Sequence, residues 1–299
     1  METSILIKSE VSIYDMKEQA ILTSLVTAIK QKKQLLGLDD SIVKNYLREY
    51  FEKNKHALSK LVQYQAEKQL TRSADFEKVL KTVRAKLHES YGMFQTPKNS
   101  EEIKKDFLKK LMQRALTEED YQNIFSLHLS TKERFPSYRS IYSQIFKVTG
   151  KPNSIIDLGC GLNPLSVHYM NLKKFRYIAS DIDKSSLELI REFFELSGID
   201  GKTMVLDFQN EKDIQKIAFI EADVCFLFKV LEIDKRIAED LITSVNSKFI
   251  IASFSTLSVS GKIMSSPERD WFEKLLNRLK YKFSTFKTEN EIFYLVHKS

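Results

Sequence analysis

The sequence predicts an α/β protein, with an all-helical domain at residues 1–117 and a domain built on a mostly parallel sheet at 118–299. Two observations predict the sheet. A short apolar run at 154–158 leads directly into a glycine turn, and apolar runs alternate with helical segments from there onward. This alternation is typical of parallel sheets. The helical domain is predicted because apolar residues before 117 recur at helical spacing.

In the N-terminal domain, two segments show the helical repeat most clearly. Their apolar positions are Ile42, Val43, Tyr46, Leu47 and Tyr50 in one segment, and Phe76, Val79, Leu80, Val83 and Leu87 in the other. Ser41 and the aspartates before it suit a helix N-terminus. We interpret these apolar stripes as the core of a helical bundle rather than as a binding surface.

The net charge of +7 is concentrated in the first third of the chain. A basic excess of this kind indicates a module that binds a polyanion, although a solvated helical surface would give the same count. Lysine contacts phosphates without reading bases, so this region is expected to position RNA. The candidate RNA-binding residues are Lys104, Lys105, Lys109, Lys110 and Arg114.

The two cysteines, Cys160 and Cys225, both fall in apolar strand contexts. We interpret them as buried reduced thiols, not as a disulfide framework or metal ligands, and expect no metal. The chain starts without a basic segment followed by a long apolar core, and no apolar run approaches membrane-spanning length. These features predict a cytoplasmic protein that neither is secreted nor spans a membrane.

The glycine turn that follows Ile155, Ile156 and Leu158 is the strongest candidate for a ligand site. Gly159 and Gly161 allow a sharp turn and a close backbone approach to a ligand, Asn163 suits a helix N-cap and Pro164 the first helical turn. Asp181 follows Gly161 at the spacing typical of a carboxylate that binds ribose hydroxyls. The third glycine of a dinucleotide fingerprint is replaced by Pro164, which argues against NAD. The form Asp157-x-Gly159-x-Gly161 instead looks like an S-adenosylmethionine (SAM) site, and a turn without any ligand is the alternative.

The later apolar runs predict the remaining strands of the sheet. They lie at 176–180, 204–208, 224–230 and 249–254, and helical segments are expected near 184–197, 210–220, 235–246 and 267–280. Apolar residues on both sides of 287–291 predict a closing antiparallel hairpin at the C terminus.

A second motif lies upstream of the glycine turn, in the segment from Ser130 to Arg134. Arg134 would lie close to the mouth of the sheet, where its guanidinium could bind a carboxylate with two hydrogen bonds. Ser130-Thr131-Lys132-Glu133-Arg134, followed by Asp157-Leu158-Gly159-Cys160-Gly161-Leu162-Asn163-Pro164-Leu165, resembles the aminoglycoside-resistance 16S rRNA guanine-N7 methyltransferases. The resemblance covers roughly residues 120–299 and implies a Rossmann-like class I methyltransferase domain with a seven-stranded, mostly parallel sheet.

The resemblance also implies the roles of individual residues. Arg134 would bind the carboxylate of SAM, Asp181 its ribose, and Asp207 with Phe208 its adenine. The expected cofactor-binding residues are therefore Arg134, Asp157, Gly159, Gly161, Asp181, Asp207 and Phe208. Lys229, after the fourth strand, matches the family's phenylalanine-lysine motif and would position the reacting groups. The segment Ser253–Ser258, with Gly261 and Lys262 after it, resembles the loop that encloses the target base.

Two departures leave the target nucleotide open. The segment after Lys229 lacks the family's proline and has Lys235 where the family has an acidic residue, and Ser255 replaces a proline in the target-base loop. The leading hypothesis is a SAM-dependent methyltransferase acting on ribosomal RNA, or on the small ribosomal subunit, at guanine N7. The alternatives are a methyltransferase for a small molecule or protein, and a SAM- or RNA-binding scaffold without activity. Because N7 carries no proton, no general base is expected, and His128 is interpreted as structural.

Overall fold

The computed structural model describes residues 2–64, 67–96, 100–257 and 264–298. The chain forms two compact units, residues 1–93 and 94–299. The sequence placed this boundary at 117, about one helix later. The difference arises because Phe107, on the helix before residue 117, is buried against Tyr121 and Phe193 of the second unit.

The first unit is helical, as expected. Its helices are α1 (Glu2–Lys30), α2 (Asp40–Lys53), α3 (Lys55–Val62), α4 (Glu67–Leu70) and α5 (Ala74–Ser90). The Asp39 side chain caps α2 by accepting a hydrogen bond from the Ser41 backbone N–H. The predicted apolar stripes of α2 and α5 are buried, apart from the partly exposed Tyr50, which is consistent with a bundle core.

The second unit contains a seven-stranded sheet of order β3-β2-β1-β4-β5-β7-β6. The strands are β1 (Ser154–Leu158), β2 (Arg176–Asp181), β3 (Asp200–Val205), β4 (Glu221–Phe228), β5 (Asn246–Ser255), β6 (Lys282–Lys287) and β7 (Glu291–His297). The first five pair in parallel, and β7 runs antiparallel to both β5 and β6. This confirms the predicted seven-stranded, mostly parallel sheet with its closing hairpin.

Helices cover both faces of this sheet because successive strand residues alternate between two apolar cores. In β1, Ile155 packs into one core and Ile156 into the other. The helices are α6 (Ser100–Met112), α7 (Glu118–Phe125), α8 (Leu129–Arg134), α9 (Tyr138–Thr149), α10 (Lys184–Ser197), α11 (Glu211–Ile217), α12 (Ala238–Ser244) and α13 (Asp270–Arg278). The strand burial explains why most of the strands appear in the sequence as apolar runs.

The third strand lies earlier in the chain than the sequence predicted. The prediction was 204–208, whereas β3 is Asp200–Val205 and pairs with β2 from Arg176↔Asp200 onward. As the edge strand it is only partly buried and carries polar residues, so its position is not marked by apolar density. The shift leaves Asp207 and Phe208 in the loop after the strand.

The connection after β1 is a 3-10 helix, Asn163–Met170, with Leu162 as its N-cap residue. The prediction of Asn163 as the N-cap was therefore wrong by one position. Its side chain instead makes hydrogen bonds within the candidate site, described below.

The order of the strands fixes where a ligand binds. From β1 the chain passes to β2 and β3 on one side and then returns to β4 on the other, so the carboxyl end of β1 lies at the point where the strand order reverses. Open α/β sheets bind their ligands at this point.

Within the described residues, no helix is long and apolar enough to cross a membrane. Cys160 and Cys225 are buried free thiols, as predicted.

Candidate cofactor site at the strand ends

The glycine turn after β1 requires both of its glycines. Gly159 and Gly161 have φ values of 65° and 51°, in the region that disfavours residues with a side chain. A Cβ atom at Gly159 would lie 2.7 Å from Cγ2 of Val230, and one at Gly161 would lie 2.8 Å from Cε1 of His128. The turn is therefore packed closely against the segment after β4 and the start of α8.

Asp181 ends β2 and fixes the shape of the glycine turn from the side. Its Oδ2 accepts a hydrogen bond of 2.7 Å from the Gly161 backbone N–H, and its Oδ1 accepts one of 2.9 Å from the Asp183 N–H. Burial, together with the charge of Asp183, raises the pKa of Asp181 to about 6. Gly161 and Asp181, which the sequence paired by their spacing, are thus joined by a hydrogen bond in the structure.

Asp157, in β1, is fully buried, and only one of its two carboxylate oxygens accepts hydrogen bonds. Its Oδ2 accepts hydrogen bonds from Asn163 Nδ2 at 2.8 Å and from the Tyr177 hydroxyl at 2.6 Å. Its Oδ1 has no hydrogen-bond partner in the part of the chain that the structure describes. Burial raises the pKa of Asp157 to about 6, although both hydrogen bonds and the charge of Arg134 lower it. A buried oxygen in this state is costly unless a ligand donates to it.

Arg134, the last residue of α8, lies in the same cluster and is 3% exposed. Its Nε and Nη2 donate to the two oxygens of Glu291 at 3.1 and 2.9 Å, and its Nη1 donates to Asn163 Oδ1 at 3.3 Å. The guanidinium carbon lies 4.7 Å from the centre of the Phe228 ring. The sequence identified Arg134 but not Glu291, which lies 157 positions away in an apolar strand.

Lys229 follows β4 in a left-handed backbone conformation, with φ 62°. Its backbone N–H donates to the carbonyl and hydroxyl oxygens of Ser253, and its Nζ donates to Glu133 Oε2 at 2.6 Å. A lysine in this conformation is strained, and such residues cluster at functional sites. Its placement beside α8 is compatible with the predicted positioning role.

Asp207 and Phe208 lie at the same edge of the sheet. Leu206, just before them, donates its backbone N–H to the Asp181 carbonyl at 3.1 Å, which keeps the loop after β3 beside the end of β2. Asp207 is buried, and Phe208 Cε2 is 3.5 Å from the Cβ position of Gly159. All seven predicted cofactor-binding residues therefore belong to one connected region.

His128 is the residue before α8, and its ring lies against the glycine turn. Its ring stacks on Phe94 with 5.8 Å between the ring centres. Burial, helped by the charges of Arg134 and Lys229, lowers the pKa of His128 to about 3. The imidazole is therefore neutral at physiological pH, which agrees with a structural role.

The candidate RNA-binding residues do not share one environment. Lys105, Lys109 and Arg114 are exposed. Lys104 donates to the Ser185 hydroxyl at the start of α10, at 2.8 Å, and Lys110 forms ion pairs with Asp106 and Asp120. The predicted target-base loop ends in Ser258, Gly261 and Lys262, which lie outside the described residues.

Comparison with known proteins identifies the family. The model of the family described as "Ribosomal RNA methyltransferase (FmrO)" matches residues 53–295, which is most of the chain. The chain belongs to the FmrO family of ribosomal RNA methyltransferases. It is thus a methyltransferase that uses SAM, as the glycine turn and the Arg134 motif suggested.

Several proteins that are similar to the chain are named 16S rRNA (guanine(1405)-N(7))-methyltransferase. The chain is 32% identical to the one from Micromonospora rosea over 58% of its own length and 64% of the relative's. It is 29% identical to that from Micromonospora echinospora, over 75% and 84% of the two chains, and 30% identical to that from Serratia marcescens, over the same shares.

Solved structures show the same fold. The 16S rRNA methyltransferase RmtF, solved with S-adenosyl-L-homocysteine, superposes with a TM-score of 0.71 at 20% identity, covering 93% of this chain and 98% of that one. The 16S rRNA methylase ArmA superposes with a TM-score of 0.52 at 28% identity, over 66% and 98%. Because the identity to RmtF is only 20%, the likeness to that structure supports the fold alone.

The residues at the strand ends fit SAM in charge and hydrogen bonding. The unpaired Oδ1 of Asp157 suits a positively charged donor such as the amino group of the cofactor's methionine part. Arg134 suits the neighbouring carboxylate. The methionine part of SAM presents an amino group and a carboxylate on one carbon, so the two side chains are compatible with this cofactor.

Proposed function

We propose that the chain transfers the methyl group of SAM to N7 of a guanine in the 16S rRNA of the small ribosomal subunit. The observation that carries this proposal is the joint presence, in one cluster, of Arg134, the Asp157–Gly161 turn and Asp181. Relatives that are 28–32% identical and carry the guanine-N7 name support the same target. A ribosomal substrate would place the protein in the cytoplasm.

The residues divide the work of binding the cofactor. Arg134 holds the carboxylate and Asp157 the amino group, while Asp181 binds the ribose hydroxyls through oxygens that already orient the glycine turn. Asp207 and Phe208 contact the adenine. The bound cofactor supplies a methyl group on a positively charged sulfur, ready for direct displacement.

Guanine N7 needs no proton removed before it attacks the methyl group, because its lone pair is free. The protein therefore acts by aligning this nitrogen with the methyl–sulfur bond and by excluding water. Lys229 lies at the carboxyl end of β4 with its ammonium already paired to Glu133, so its role is to position the reactants. A neutral His128 in contact with the turn is not required as a base.

Transfer of labelled methyl from SAM to intact small ribosomal subunits tests the proposal. We expect label in 16S rRNA at a guanine that becomes sensitive to borohydride reduction and aniline cleavage, as N7-methylguanosine is. An Asp181→Ala sample should lose the signal, and a sample with excess S-adenosylhomocysteine should be inhibited.

The same assay separates the two alternatives. Label in a protein or small molecule, and none in RNA, would replace the proposal with a methyltransferase of another substrate class. SAM binding without transfer to any acceptor would indicate a scaffold. Free 16S rRNA, run alongside the subunits, shows whether the assembled particle is required.

A further inference from the structure

Glu291 is a buried carboxylate at the ligand edge of the sheet. It is 1% exposed and is the first residue of β7, opposite Ser255 at the end of β5. Because β7 runs antiparallel to β5, its beginning lies beside the carboxyl end of β5. The next five residues of β7, Ile292 to Val296, are apolar or aromatic and buried, so a charge at this position is not required by the core.

The contact between Glu291 and Arg134 fixes the direction of the guanidinium. Two hydrogen bonds, of 3.1 and 2.9 Å, join the Nε–Nη2 edge of Arg134 to both carboxylate oxygens. Both side chains are 2% exposed. A two-bond fork sets the plane as well as the distance of a guanidinium. Of its five N–H groups, three go to Glu291 and Asn163, so it has further groups to offer a ligand.

Glu291 is itself held in place by the neighbouring strand. The Ser253 hydroxyl donates a hydrogen bond to Glu291 Oε1, and it accepts one from the Lys229 backbone N–H at 3.2 Å. The carboxylate thereby receives donors from both α8 and β5. This leaves it little freedom to rotate with Arg134.

Stability alone does not account for such a pair. The cost of removing two charges from water largely offsets their attraction, so a buried ion pair contributes little compared with apolar residues of similar size. What the pair provides is a fixed orientation of a cation that would otherwise rotate about its flexible side chain.

We propose that Glu291 is a positioning residue that holds Arg134 in the orientation that binds the carboxylate of SAM. The proposal rests on the proposed function, since it assumes that SAM is the ligand at this site. Glu291 itself does not touch the cofactor. Its effect is therefore confined to ligands that carry the carboxylate.

Two ligands that differ in the amino-acid part provide the test. S-adenosylhomocysteine carries the amino-acid carboxylate and amino group, whereas 5′-methylthioadenosine has the same nucleoside and sulfur with a methyl group in place of that chain. Titration calorimetry on the full-length protein should show that Glu291→Gln raises the Kd of S-adenosylhomocysteine about ten- to a hundredfold. The Kd of 5′-methylthioadenosine should stay within about twofold, and Glu291→Asp should lie between the wild type and Glu291→Gln for S-adenosylhomocysteine.

Glu289→Gln is the matched control, because it removes an exposed charge from the same hairpin. It should change neither Kd. An unchanged Kd for S-adenosylhomocysteine in Glu291→Gln, or an equal rise for both ligands, would overturn the proposal.

A second comparison covers the case in which Glu291→Gln fails to fold. Arg134→Leu and the double variant Arg134→Leu/Glu291→Leu should bind S-adenosylhomocysteine equally weakly, since Glu291 acts only through Arg134. A further loss in the double variant would overturn the proposal. Methyl transfer by the wild type, measured in parallel, tests the proposed function separately: it persists if only the role of Glu291 is wrong.

Discussion

Asp157, a candidate cofactor residue, makes the stability of the fold depend on pH. Its pKa rises from 3.8 to about 6 on folding because burial disfavours the charged form. The folded protein therefore binds this proton more tightly than the unfolded chain, so the contribution stabilises the fold at low pH. It is lost as the pH rises from about 4 through about 6.

The Asp157→Asn variant is expected to lack this pH dependence. The full shift corresponds to about 3 kcal/mol. Because the carboxyl of the unfolded chain is already about half ionised at pH 4, the wild type should lose roughly 2 kcal/mol more stability than the variant between pH 4 and 7. Urea unfolding of both proteins at pH 4 and pH 7 measures this difference in the free energy of unfolding. The variant should also bind SAM more weakly, because an amide cannot accept a charged donor as a carboxylate does. Equal pH dependence in both proteins would contradict the burial argument.

Asp181 tests the ribose assignment. Asp181→Ala should weaken SAM binding by about 1–3 kcal/mol, because it leaves polar groups unpaired. One of these groups is the Gly161 N–H, which donates a hydrogen bond to Asp181. Calorimetry on the folded variant measures the loss. Unchanged affinity would exclude Asp181 from the site.

Arg134 is expected to act on SAM and S-adenosylhomocysteine alike, because both carry the carboxylate. Arg134→Ala should raise both dissociation constants, and Arg134→Lys should recover only part, since a point charge cannot form the two-bond fork. Binding assays with both cofactors measure the effect. An altered RNA affinity with unchanged cofactor affinity would show that Arg134 serves the RNA instead.

At the scale of the element, the four lysines of α6 lie in two different environments. Lys105 and Lys109 are exposed, whereas Lys104 and Lys110 are engaged within the protein by Ser185, Asp106 and Asp120. The four lysines, which the sequence treated as one RNA-binding set, therefore form two matched pairs.

These pairs make the RNA-binding hypothesis testable. Binding to phosphates falls with salt, and each lost contact lowers the slope by roughly one unit. Lys105→Gln/Lys109→Gln should reduce the salt slope of subunit binding by about two and leave SAM affinity unchanged. Lys104→Gln/Lys110→Gln should lower the melting temperature with a smaller change in slope. Equal slopes for the wild type and the first pair would reject α6 as an RNA-binding surface.

At the scale of the whole molecule, the compact units predict which fragments fold. A fragment of residues 94–299 retains α6 and should fold and bind SAM. A fragment of residues 120–299, which the sequence-based boundary favours, removes Phe107 from Phe193 and exposes that apolar surface. It should unfold at a lower temperature or aggregate. Thermal unfolding compares the melting temperatures of the two fragments. Equal melting temperatures would show that α6 is dispensable for the fold.

Much of the fold follows from local patterns. The apolar runs of β1, β2, β4, β5 and β7 and the helical repeats of α2 and α5 reflect burial, which a sequence records directly. The glycine turn and Asp181 were recognisable because their spacing is set by the length of one strand–helix–strand unit. β3 was misplaced because an edge strand needs few apolar residues.

The sequence alone determined the cofactor class, because strand, glycine turn and acidic residue lie within one short stretch of chain. Only the tertiary structure decided how Arg134 is held, because the antiparallel pairing of β5 and β7 places Glu291 beside Ser253, and Glu291 accepts the hydrogen bonds of Arg134. It also divided the lysines of α6 into exposed and engaged pairs, since Ser185 and Asp120, which engage Lys104 and Lys110, lie on other helices. Contacts between distant segments depend on three-dimensional packing, and no local pattern encodes them.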